Sequence, residues 1–498
     1  MQIEDLEKVP ILHHSGKESS TTKLLCKELV MQQAETWFWV VVHRGLLVIF
    51  LLAWFAMLIG AVFILLQSPN NRPQLHWWQH SVFYHIEPAV FLDSDGDGMG
   101  DLAGIQKQLS YFGRLKVQAL IIAPIYKLEG NGSGFNFTEI NPFYGSMEDF
   151  DKLVSESKKH GIRILFEIRD WTGNRVSTSW QTSASSWKSS IDKPDRLKEI
   201  LDFWLKKGVS GFLFANQTGQ LIKKVTDEWK EHVQNYTSKE DDERILMIAG
   251  SSAIQPCQNM SECFEANLIQ TFNLFGGKRN LSVQAMLQQM EEAILWNSNE
   301  YWPAWMIGSP SVGHMASFVK ELHRAYSVLL LMLPGSPVIY YGDEIGLKDL
   351  KNGKKLPVMK WKPSEHTQAL KKALVRDDDH LASVEEQQTQ KKSLLRLFSS
   401  LLAVKWREPA LHYGNITMLN SSSDSISFLR HWSCSTFLIT MNLGQESLVL
   451  DFHPFGLPPK AQIVVSSNQD RHGEVDLGCL QLSSKESLVL KPVKGNAS

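Results

Sequence analysis

Four aspartates in one short segment stand at alternate positions. The stretch DSDGDGMGD contains Asp93, Asp95, Asp97 and Asp101, and Met99 fills the remaining alternate position. Carboxylate and carbonyl oxygens are the ligands that hard cations prefer, and Ca²⁺ takes about six to eight of them at about 2.4 Å. The spacing predicts a calcium loop in which the four carboxylates and the backbone carbonyl of Met99 bind one ion.

Two other interpretations of this segment remain open. The spacing resembles the start of an EF-hand, but that loop has a glutamate at its twelfth position, where this sequence has Gly104. A polar surface turn without an ion is the other alternative, although four clustered carboxylates would repel one another in it.

The other residues that could do chemistry are scattered. No zinc-type spacing of His and Cys and no phosphate-binding glycine loop occurs in the sequence. We therefore interpret the remaining acids and histidines as structural or surface residues. They are the pairs Glu167/Asp170 and Asp343/Glu344 and the isolated His314 and His323.

The candidate residues must be positioned by a folded scaffold. From about Trp77 to Glu408, short β-rich runs alternate with helix-like segments. This alternation predicts a (β/α)8 TIM barrel over residues 77–408. Met147–His160, Lys193–Lys207 and Ser282–Trp296 are among the predicted helices. The eight predicted strands are Val82–Tyr84, Ala119–Ile122, Arg163–Glu167, Gly211–Phe214, Ile245–Ala249, Leu268–Phe272, Ala304–Ile307 and Val338–Tyr341.

The pattern changes after the helix-like run Lys392–Trp406. Strands then follow one another without helices between them, which predicts an antiparallel β-sandwich over residues 409–498. The predicted strands are Asn415–Leu419, Ser425–Arg430, Phe437–Met441, Ser447–Asp451, Ala461–Val465 and Ser487–Leu490.

The overall composition is that of a folded protein. Hydrophobic residues make up 43% and charged residues 21% of the 498 positions, which argues against a largely disordered chain. The formal net charge is −2, so the chain lacks the basic excess of a dedicated nucleic-acid binder.

One stretch, Gly45–Leu66, contains no charged residue. Its 22 residues would span about 33 Å as a helix, enough for a hydrocarbon core of about 30 Å. A buried core helix is the alternative, but soluble helices need a polar face. We predict a tail over 1–44, a transmembrane helix in contact with lipid over 45–66 and a linker over 67–76. The small residues Ala53, Ala56 and Gly60 are a candidate interface with a membrane partner.

The flanking charges predict a cytoplasmic N-terminus, because Lys23, Lys27 and Arg44 precede the span and only Arg72 follows it closely. The expected topology is that of a single-pass type II protein of the plasma membrane. All nine N-x-[ST] sequons follow the span, as expected of an extracellular glycoprotein. They begin at Asn131, Asn136, Asn216, Asn235, Asn259, Asn280, Asn415, Asn420 and Asn496.

Four of the five cysteines follow the span. An oxidising exterior favours disulfides, so we expect Cys434–Cys479 in the β domain and Cys257–Cys263 in a short loop. The fifth, Cys26, would be a free cytoplasmic thiol.

Two long segments resemble the α-amylase-type glycoside hydrolases: DSDGDGMGDLAGI from Asp93 and LPGSPVIYYGDEIG from Leu333. Together with the membrane helix, they make the chain similar to the heavy chains of heteromeric amino-acid transporters, in solute-carrier family three. The short segment between Asp170 and Lys193 leaves no room for an extra domain after the third strand, as in the cell-surface antigen type of heavy chain. The resemblance also implies the calcium loop, with ligand positions that match one for one.

The resemblance further implies that the barrel is not an enzyme. Retaining glycosidases need two carboxyl groups about 5–5.5 Å apart. The positions that match the amylase nucleophile, acid/base and stabilising acid are Ala215, Ser252 and Ser311, and no Asp or Glu lies in the surrounding loops.

The implied function is that of a non-catalytic ancillary subunit, which brings a multi-span transporter light chain to the plasma membrane and stabilises it there. Heavy chains usually link to their light chain through a juxtamembrane cysteine, but Asn71 stands at that position here. We therefore expect a non-covalent complex. The alternative function is a membrane-anchored carbohydrate-binding or adhesion protein that uses the inactive cleft.

Overall fold

The structure is a computed structural model. It describes residues 37–67, 75–128, 135–169, 194–215, 236, 243–249, 268–274, 290, 302–350, 355–363, 382–419, 422 and 424–493. The chain divides into two units, Met1–Arg72 and Pro73–Ser498, and each is described by itself.

The described part of the first unit is one long helix, α1, over Trp37–Gln67. Its part Trp37–Ile64 is long and apolar enough to cross a membrane, and none of its most apolar window is buried within the protein. The helix includes the whole predicted span and begins two turns earlier. Ala53 and Ala56 are exposed and Gly60 is half-buried. These three small residues lie on one face, because positions three and four apart share a helix face.

A closed barrel of eight parallel strands forms the centre of the second unit, as the sequence predicts. Its strand order is β1-β10-β9-β8-β7-β6-β5-β2. All eight predicted strands are confirmed, with ends that shift by up to two residues. In chain order the strands up to β10 are β1 Phe83–Ile86, β2 Ala119–Ile122, β3 Tyr126–Leu128, β4 Phe135–Ile140, β5 Arg163–Arg169, β6 Gly211–Ala215, β7 Ile245–Ala249, β8 Leu268–Asn273, β9 Trp302–Met306 and β10 Ser336–Tyr340.

Alternate residues of the barrel strands pack into two separate cores. Phe83, Ile121, Leu165 and Leu213 belong to a compact cluster inside the barrel. Their strand neighbours, such as Tyr84, join a larger cluster between the strands and the surrounding helices. Strands buried on both faces read as continuous apolar runs, which is why these segments are recognisable in the sequence.

Several helices around the barrel begin at side-chain caps. At the start of α5, Ser146 Oγ accepts the N–H of Asp149, whose carboxylate accepts the N–H of Ser146. Ser393 caps α10 in a similar way, by accepting the N–H of Arg396. The described helices of this unit are α2 Pro88–Phe91, α3 Leu102–Lys107, α4 Leu109–Arg114, α5 Met147–Lys159, α6 Pro194–Lys206, α7 Met315–Phe318, α8 His323–Met332, α9 Val384–Thr389, α10 Leu394–Arg407 and α11 Pro409–His412.

The C-terminal part is an antiparallel β domain, as predicted. A six-stranded sheet has the order β11-β12-β13-β18-β15-β16, and β14 pairs with β17 in a second sheet. The hairpin β3–β4 and the short strands β16 and β17 were not predicted. The strands of this domain are β11 Asn415–Met418, β12 Ser425–Trp432, β13 Ser435–Asn442, β14 Leu448–Leu450, β15 Lys460–Ser466, β16 Glu474–Asp476, β17 Leu480–Leu482 and β18 Ser487–Pro492.

Two buried cations lie where the β domain meets the barrel. Arg430 on β12 donates from Nη1 to the carbonyl of Met332 (2.7 Å) and from Nη2 to that of Gly414 (2.9 Å). Lys405 on α10 donates from Nζ to the carbonyl of Leu333 (3.0 Å). Met332 and Leu333 end α8, where the helix dipole favours positive charge. The junction therefore places both cations at the carboxyl end of one helix.

Candidate functional site

The carboxyl ends of the barrel strands form the mouth, where barrel enzymes have their active sites. Side chains alternate along a strand, so His85 shares the inner face of β1 with Phe83, and Glu167 shares that of β5 with Leu165. Among the barrel-strand residues whose side chains the structure describes, Glu167 is the only inner-face carboxylate. It is buried and bonded to His85.

The predicted substitutes for catalytic acids lie at or beyond strand ends. Ala215 is the last residue of β6 and is buried. Ser311 follows β9, and its hydroxyl lies 3.0 Å from that of Ser309. Ser252 lies outside the described residues. Ala215 and Ser311 have no side-chain group that could act as a carboxylate nucleophile or acid.

The aspartate loop between α2 and α3 brings three of its four carboxylates together. One oxygen each from Asp93, Asp95 and Asp101 lies within 4.8 Å of the others. Asp97 is outside this group and accepts the N–H of Met99 (2.7 Å). The predicted arrangement of all five residues around one point is therefore present in part.

Backbone N–H groups shape this loop. Asp93 accepts those of Gly96 (2.7 Å) and Gly98 (2.9 Å), and both glycines have positive φ, 89° and 94°. Asp101 caps α3 by accepting the N–H of Gly104 (2.6 Å). The gathered donors are hard oxygens, so the residues present fit Ca²⁺.

The acid pair after β10 is built into the fold. Glu344 Oε1 accepts hydrogen bonds from Tyr84 Oη (2.7 Å) and Tyr111 Oη (2.6 Å), whereas Oε2 is buried and has no hydrogen-bond partner in the described part of the chain. Asp343 accepts the N–H of Met315 (2.8 Å). A Cβ on Gly308 would lie 2.2 Å from Asp343 Oδ2, so this backbone approaches the carboxylate closely.

Burial controls the protonation of this acid pair. Burial raises the pKa of Glu344, and the two tyrosine hydroxyls oppose that rise. It also raises the pKa of Asp343 well above its ordinary value, with Glu344 adding to the effect. The pKa of Tyr84 and that of Tyr111 rise for the same reason, so both hydroxyls remain donors. Asp343 and Glu344 are therefore buried structural residues that are not exposed to solvent.

The two isolated histidines both have bonds to the protein. His314 is fully buried, with Nδ1 3.0 Å from Asp349 Oδ1 and Nε2 3.0 Å from the carbonyl of Tyr341. The ring of His323 bonds to the carbonyl of Lys320 through Nδ1 (2.7 Å).

The expected disulfide in the β domain is wrong. Cys434 and Cys479 are both free and exposed. Cys434 lies in the turn between β12 and β13 in the six-stranded sheet, whereas Cys479 precedes β17 in the other sheet. An oxidising exterior favours bonds between cysteines, but the fold must also bring their Cα atoms within about 7 Å. The other expected pair, Cys257–Cys263, lies outside the described residues.

Two of the nine sequon asparagines lie in the described residues. Asn415 is exposed on β11. Asn136 on β4 is half-buried, and its Oδ1 accepts a hydrogen bond from the hydroxyl of Thr138 (2.8 Å), the third residue of its own sequon. The others lie outside: Asn131, Asn216, Asn235, Asn259, Asn280, Asn420 and Asn496.

One group at the mouth escaped prediction. His85 and Glu87 at the end of β1 meet Glu167 of β5, and all three are buried. Glu167 is 80 residues from Glu87 in sequence. Only the closed barrel brings them together, so spacing gave no signal for this group.

Comparison with known families gives two matches. Residues 85–196 and 224–414 match the α-amylase catalytic domain, and residues 10–84 match the N-terminus of solute carrier family 3 member 2. The first match covers most of the barrel but not strand β6, and the second covers α1 and the start of β1.

Relatives match along nearly the whole chain. The amino acid transporter heavy chain SLC3A2 of Oryctolagus cuniculus is 31% identical over 97% of this chain and 90% of its own. The amino acid transporter heavy chain SLC3A1 of Rattus norvegicus is 26% identical over 87% of this chain and 81% of its own.

Solved structures share the fold. The trehalulose synthase MutB from Pseudomonas mesoacidophila MX-45 superposes with a TM-score of 0.68, over 84% of this chain and all of that enzyme. Its sequence is only 17% identical, so the likeness concerns the fold alone.

Proposed function

Because the chain belongs to the amino-acid transporter heavy-chain family of solute carrier family 3, we propose that it is a non-catalytic subunit of a heteromeric amino-acid transporter. It delivers a multi-span light chain to the plasma membrane and stabilises it there. The observation that carries this proposal is the match to heavy chains over 97% of the chain, membrane helix included. The N-terminus lies in the cytoplasm, since the cations flanking α1 favour that side.

The barrel mouth supports a role without catalysis. Ala215 ends the strand on which the amylase pattern places its nucleophile, and Ser311 follows the strand of the stabilising acid. Glu87 and Glu167 do approach each other near the mouth, but their side chains are buried, and a sugar ring needs an open cleft. The purified chain therefore releases no sugar from α-glucosides.

Packing rather than a disulfide holds the complex together. The sequence has no cysteine between Ser68 and Pro256, and an interchain disulfide needs Cα atoms within about 7 Å. Small residues let helices approach closely, and Ala53, Ala56 and Gly60 offer such a face on α1.

The test is recovery of the complex. The tagged full-length chain is co-expressed with a panel of light chains in cells without their own heavy chains, and is purified in mild detergent. We expect one or more light chains to co-purify and to reach the cell surface, with no reducible heterodimer on a gel. Asn71→Cys creates that heterodimer if the light chain keeps its own cysteine nearby.

A pair of variants tests the helix face. Ala56→Leu combined with Gly60→Leu adds bulk to the small-residue face and lowers recovery of the light chain. Val62→Phe adds bulk on the opposite face and is the matched control. If no light chain co-purifies with the unmodified chain, the ancillary role is wrong. A glycan ligand recovered instead would favour the carbohydrate-binding alternative.

We also propose that the loop Asp93–Asp101 binds Ca²⁺ through the carboxylates that it gathers. An ion that binds only the folded chain stabilises it by mass action, so chelation lowers the melting temperature. Asp95→Asn with Asp97→Asn abolishes that sensitivity, whereas Asp470→Asn, on an exposed turn, keeps it. A melting temperature that is the same with and without chelator would rule out Ca²⁺ binding by this loop.

A further inference from the structure

A histidine and two glutamates form a buried cluster at the barrel mouth. His85 lies on β1, Glu87 follows it at the start of α2, and Glu167 lies on β5. One ligand atom from each lies within 4.8 Å of the other two. The exposed fractions are 1% for His85, 8% for Glu87 and 1% for Glu167, so bulk water does not screen this group.

The fold fixes the geometry of the cluster. Strand β2 lies between β1 and β5, and its Ile121 pairs with His85 on one side and with Leu165 on the other. His85 Nε2 lies 2.9 Å from Glu167 Oε2, which orients the imidazole ring. The ring also lies against Tyr340 of β10, with centroids 5.5 Å apart. His85 and Glu167 are thus held by strands, and Glu87 directly follows one of them.

Two polar atoms beside the cluster are buried without a partner among the residues that the structure describes. One is Nδ1 of His85 itself, and the other is the hydroxyl of Tyr126, which is 5% exposed. Buried polar groups in native proteins are nearly always paired, so each such atom needs an explanation. The hydroxyl of Tyr126 also feels the charge of Glu167: burial raises the pKa of this phenol, and Glu167 raises it further. The described residues alone therefore leave His85 Nδ1 and the Tyr126 hydroxyl unpaired.

The donor set selects the kind of ligand. One imidazole and two carboxylates suit divalent first-row transition metals, whereas Ca²⁺ and Mg²⁺ prefer oxygen alone. Zn²⁺ binds imidazole nitrogen and carboxylate oxygen at about 2.0–2.2 Å, so its ligands lie roughly 3.3 Å apart. Shifts of about 1 Å or less would bring these atoms to that separation.

We propose that His85, Glu87 and Glu167 bind one divalent transition-metal ion, with a water molecule near Tyr126 completing the site. This site shares no residue with the aspartate loop, and it does not depend on the transporter role. A bound ion would link β1 to β5 across β2 and so stabilise the barrel mouth.

The test uses the full-length chain in detergent micelles, stripped of metal with a chelator and titrated with Zn²⁺. We expect one tight site per chain and a rise in melting temperature with Zn²⁺. His85→Gln and Glu167→Gln each weaken binding at least about tenfold. Two controls keep the tight site: Asp95→Asn in the aspartate loop, and His453→Gln on the surface of the β domain.

A spectroscopic measurement covers the case in which a variant does not fold. X-ray absorption of the Zn²⁺-loaded unmodified chain should show one imidazole among nitrogen and oxygen ligands, without sulfur. A spectrum with sulfur or with several imidazoles would overturn the proposal. So would equal Zn²⁺ affinity in the unmodified chain, His85→Gln and Glu167→Gln, or no tight site at all.

Discussion

Buried charges lie beyond both ends of strand β10, and the two sets are of opposite sign. Past its carboxyl end are the acids Asp343 and Glu344, and before its amino end are the carbonyls that hold Lys405 and Arg430. In the described part of the chain, neither set pairs with the other sign of charge. Tyrosine hydroxyls and backbone N–H groups serve the acids, and backbone carbonyls serve the cations.

Arg430 responds to burial differently from the two acids. Burial raises the pKa of both acids, so they can become neutral by taking up a proton. It lowers the pKa of Arg430 only to about 9, so the guanidinium stays charged at neutral pH. An arginine that remains charged needs its hydrogen bonds at all times. We therefore expect loss of the Arg430 side chain to cost more stability than a change at either acid.

The largest effect is expected for Arg430→Ala. This change removes three hydrogen bonds to backbone carbonyls and leaves a cavity where a fully buried side chain was. Unfolding by urea should show a loss of about 3–5 kcal/mol. Arg407→Ala removes a side chain that is 68% exposed and should cost less than about 0.5 kcal/mol. A loss below about 1 kcal/mol for Arg430→Ala would contradict the comparison.

Next is the pH dependence of the acidic end, tested with Glu344→Gln. The folded chain holds the proton of Glu344 more tightly than the unfolded chain, whose glutamate loses it near pH 4.3. Stability from this group is therefore present at low pH and falls as the pH rises toward the folded pKa. Denaturation at several pH values should show a shallower decline above pH 4 in Glu344→Gln, by up to about 1.4 kcal/mol per pH unit. Glu446→Gln, on an exposed loop, is the control and should leave the decline unchanged.

A smaller effect is expected for Lys405→Met, which keeps the length of the buried side chain and removes the charge. Such replacements are often nearly neutral, so the loss should stay below about 1.5 kcal/mol at pH 7. Burial lowers the pKa of Lys405 well below its ordinary value. The unfolded chain then binds more protons between the two pKa values, so the unmodified chain gains stability as the pH rises toward about 10.4. Lys405→Met should lack that alkaline gain, and a variant that keeps it would show that Lys405 is not its source.

The smallest effect concerns the β domain, which the junction holds without the expected disulfide. Cys434→Ser should change the free energy of unfolding by less than about 0.5 kcal/mol, because Cys434 is exposed and free. Mass spectrometry after alkylation of the folded chain should find both Cys434 and Cys479 modified. If both thiols resist alkylation until a reductant is added, the Cys434–Cys479 disulfide does form and its rejection is wrong.

The strands of the barrel were predictable, whereas the contents of its mouth were not. Strands such as Ala119–Ile122 are buried on both faces and appear as apolar runs in the sequence. Strands of three residues, such as Glu474–Asp476, are too short to show an alternation. The hairpin partner of Tyr126–Leu128 begins seven residues after Leu128, and the register shifts between Tyr126 and Lys127, which blurs the pattern.

Contacts that depend on closure of the sheet into a barrel could not be predicted from the sequence either. The sequence shows that His85 and Glu167 each lie in a strand, but not that their strands flank β2 with inner faces aligned. The clustering of carboxylates in the aspartate loop could be predicted because its members are neighbours in sequence. The prediction of a Cys434–Cys479 disulfide failed because the number of cysteines carries no information on their separation in the fold.

The length of α1 has a consequence for its fit to a bilayer. From Gly45 to Ile64 the helix is uncharged and covers about 30 Å, close to the hydrocarbon thickness of a plasma membrane. Trp37, Trp39 and Arg44 precede this part, and such residues anchor a helix at the head groups. The hydrocarbon layer is about 27 Å thick in the endoplasmic reticulum and about 32–33 Å in a plasma membrane, so the helix differs from either by about 3 Å or less. The number of apolar turns thus lets the helix cross both membranes with little tilt or stretching.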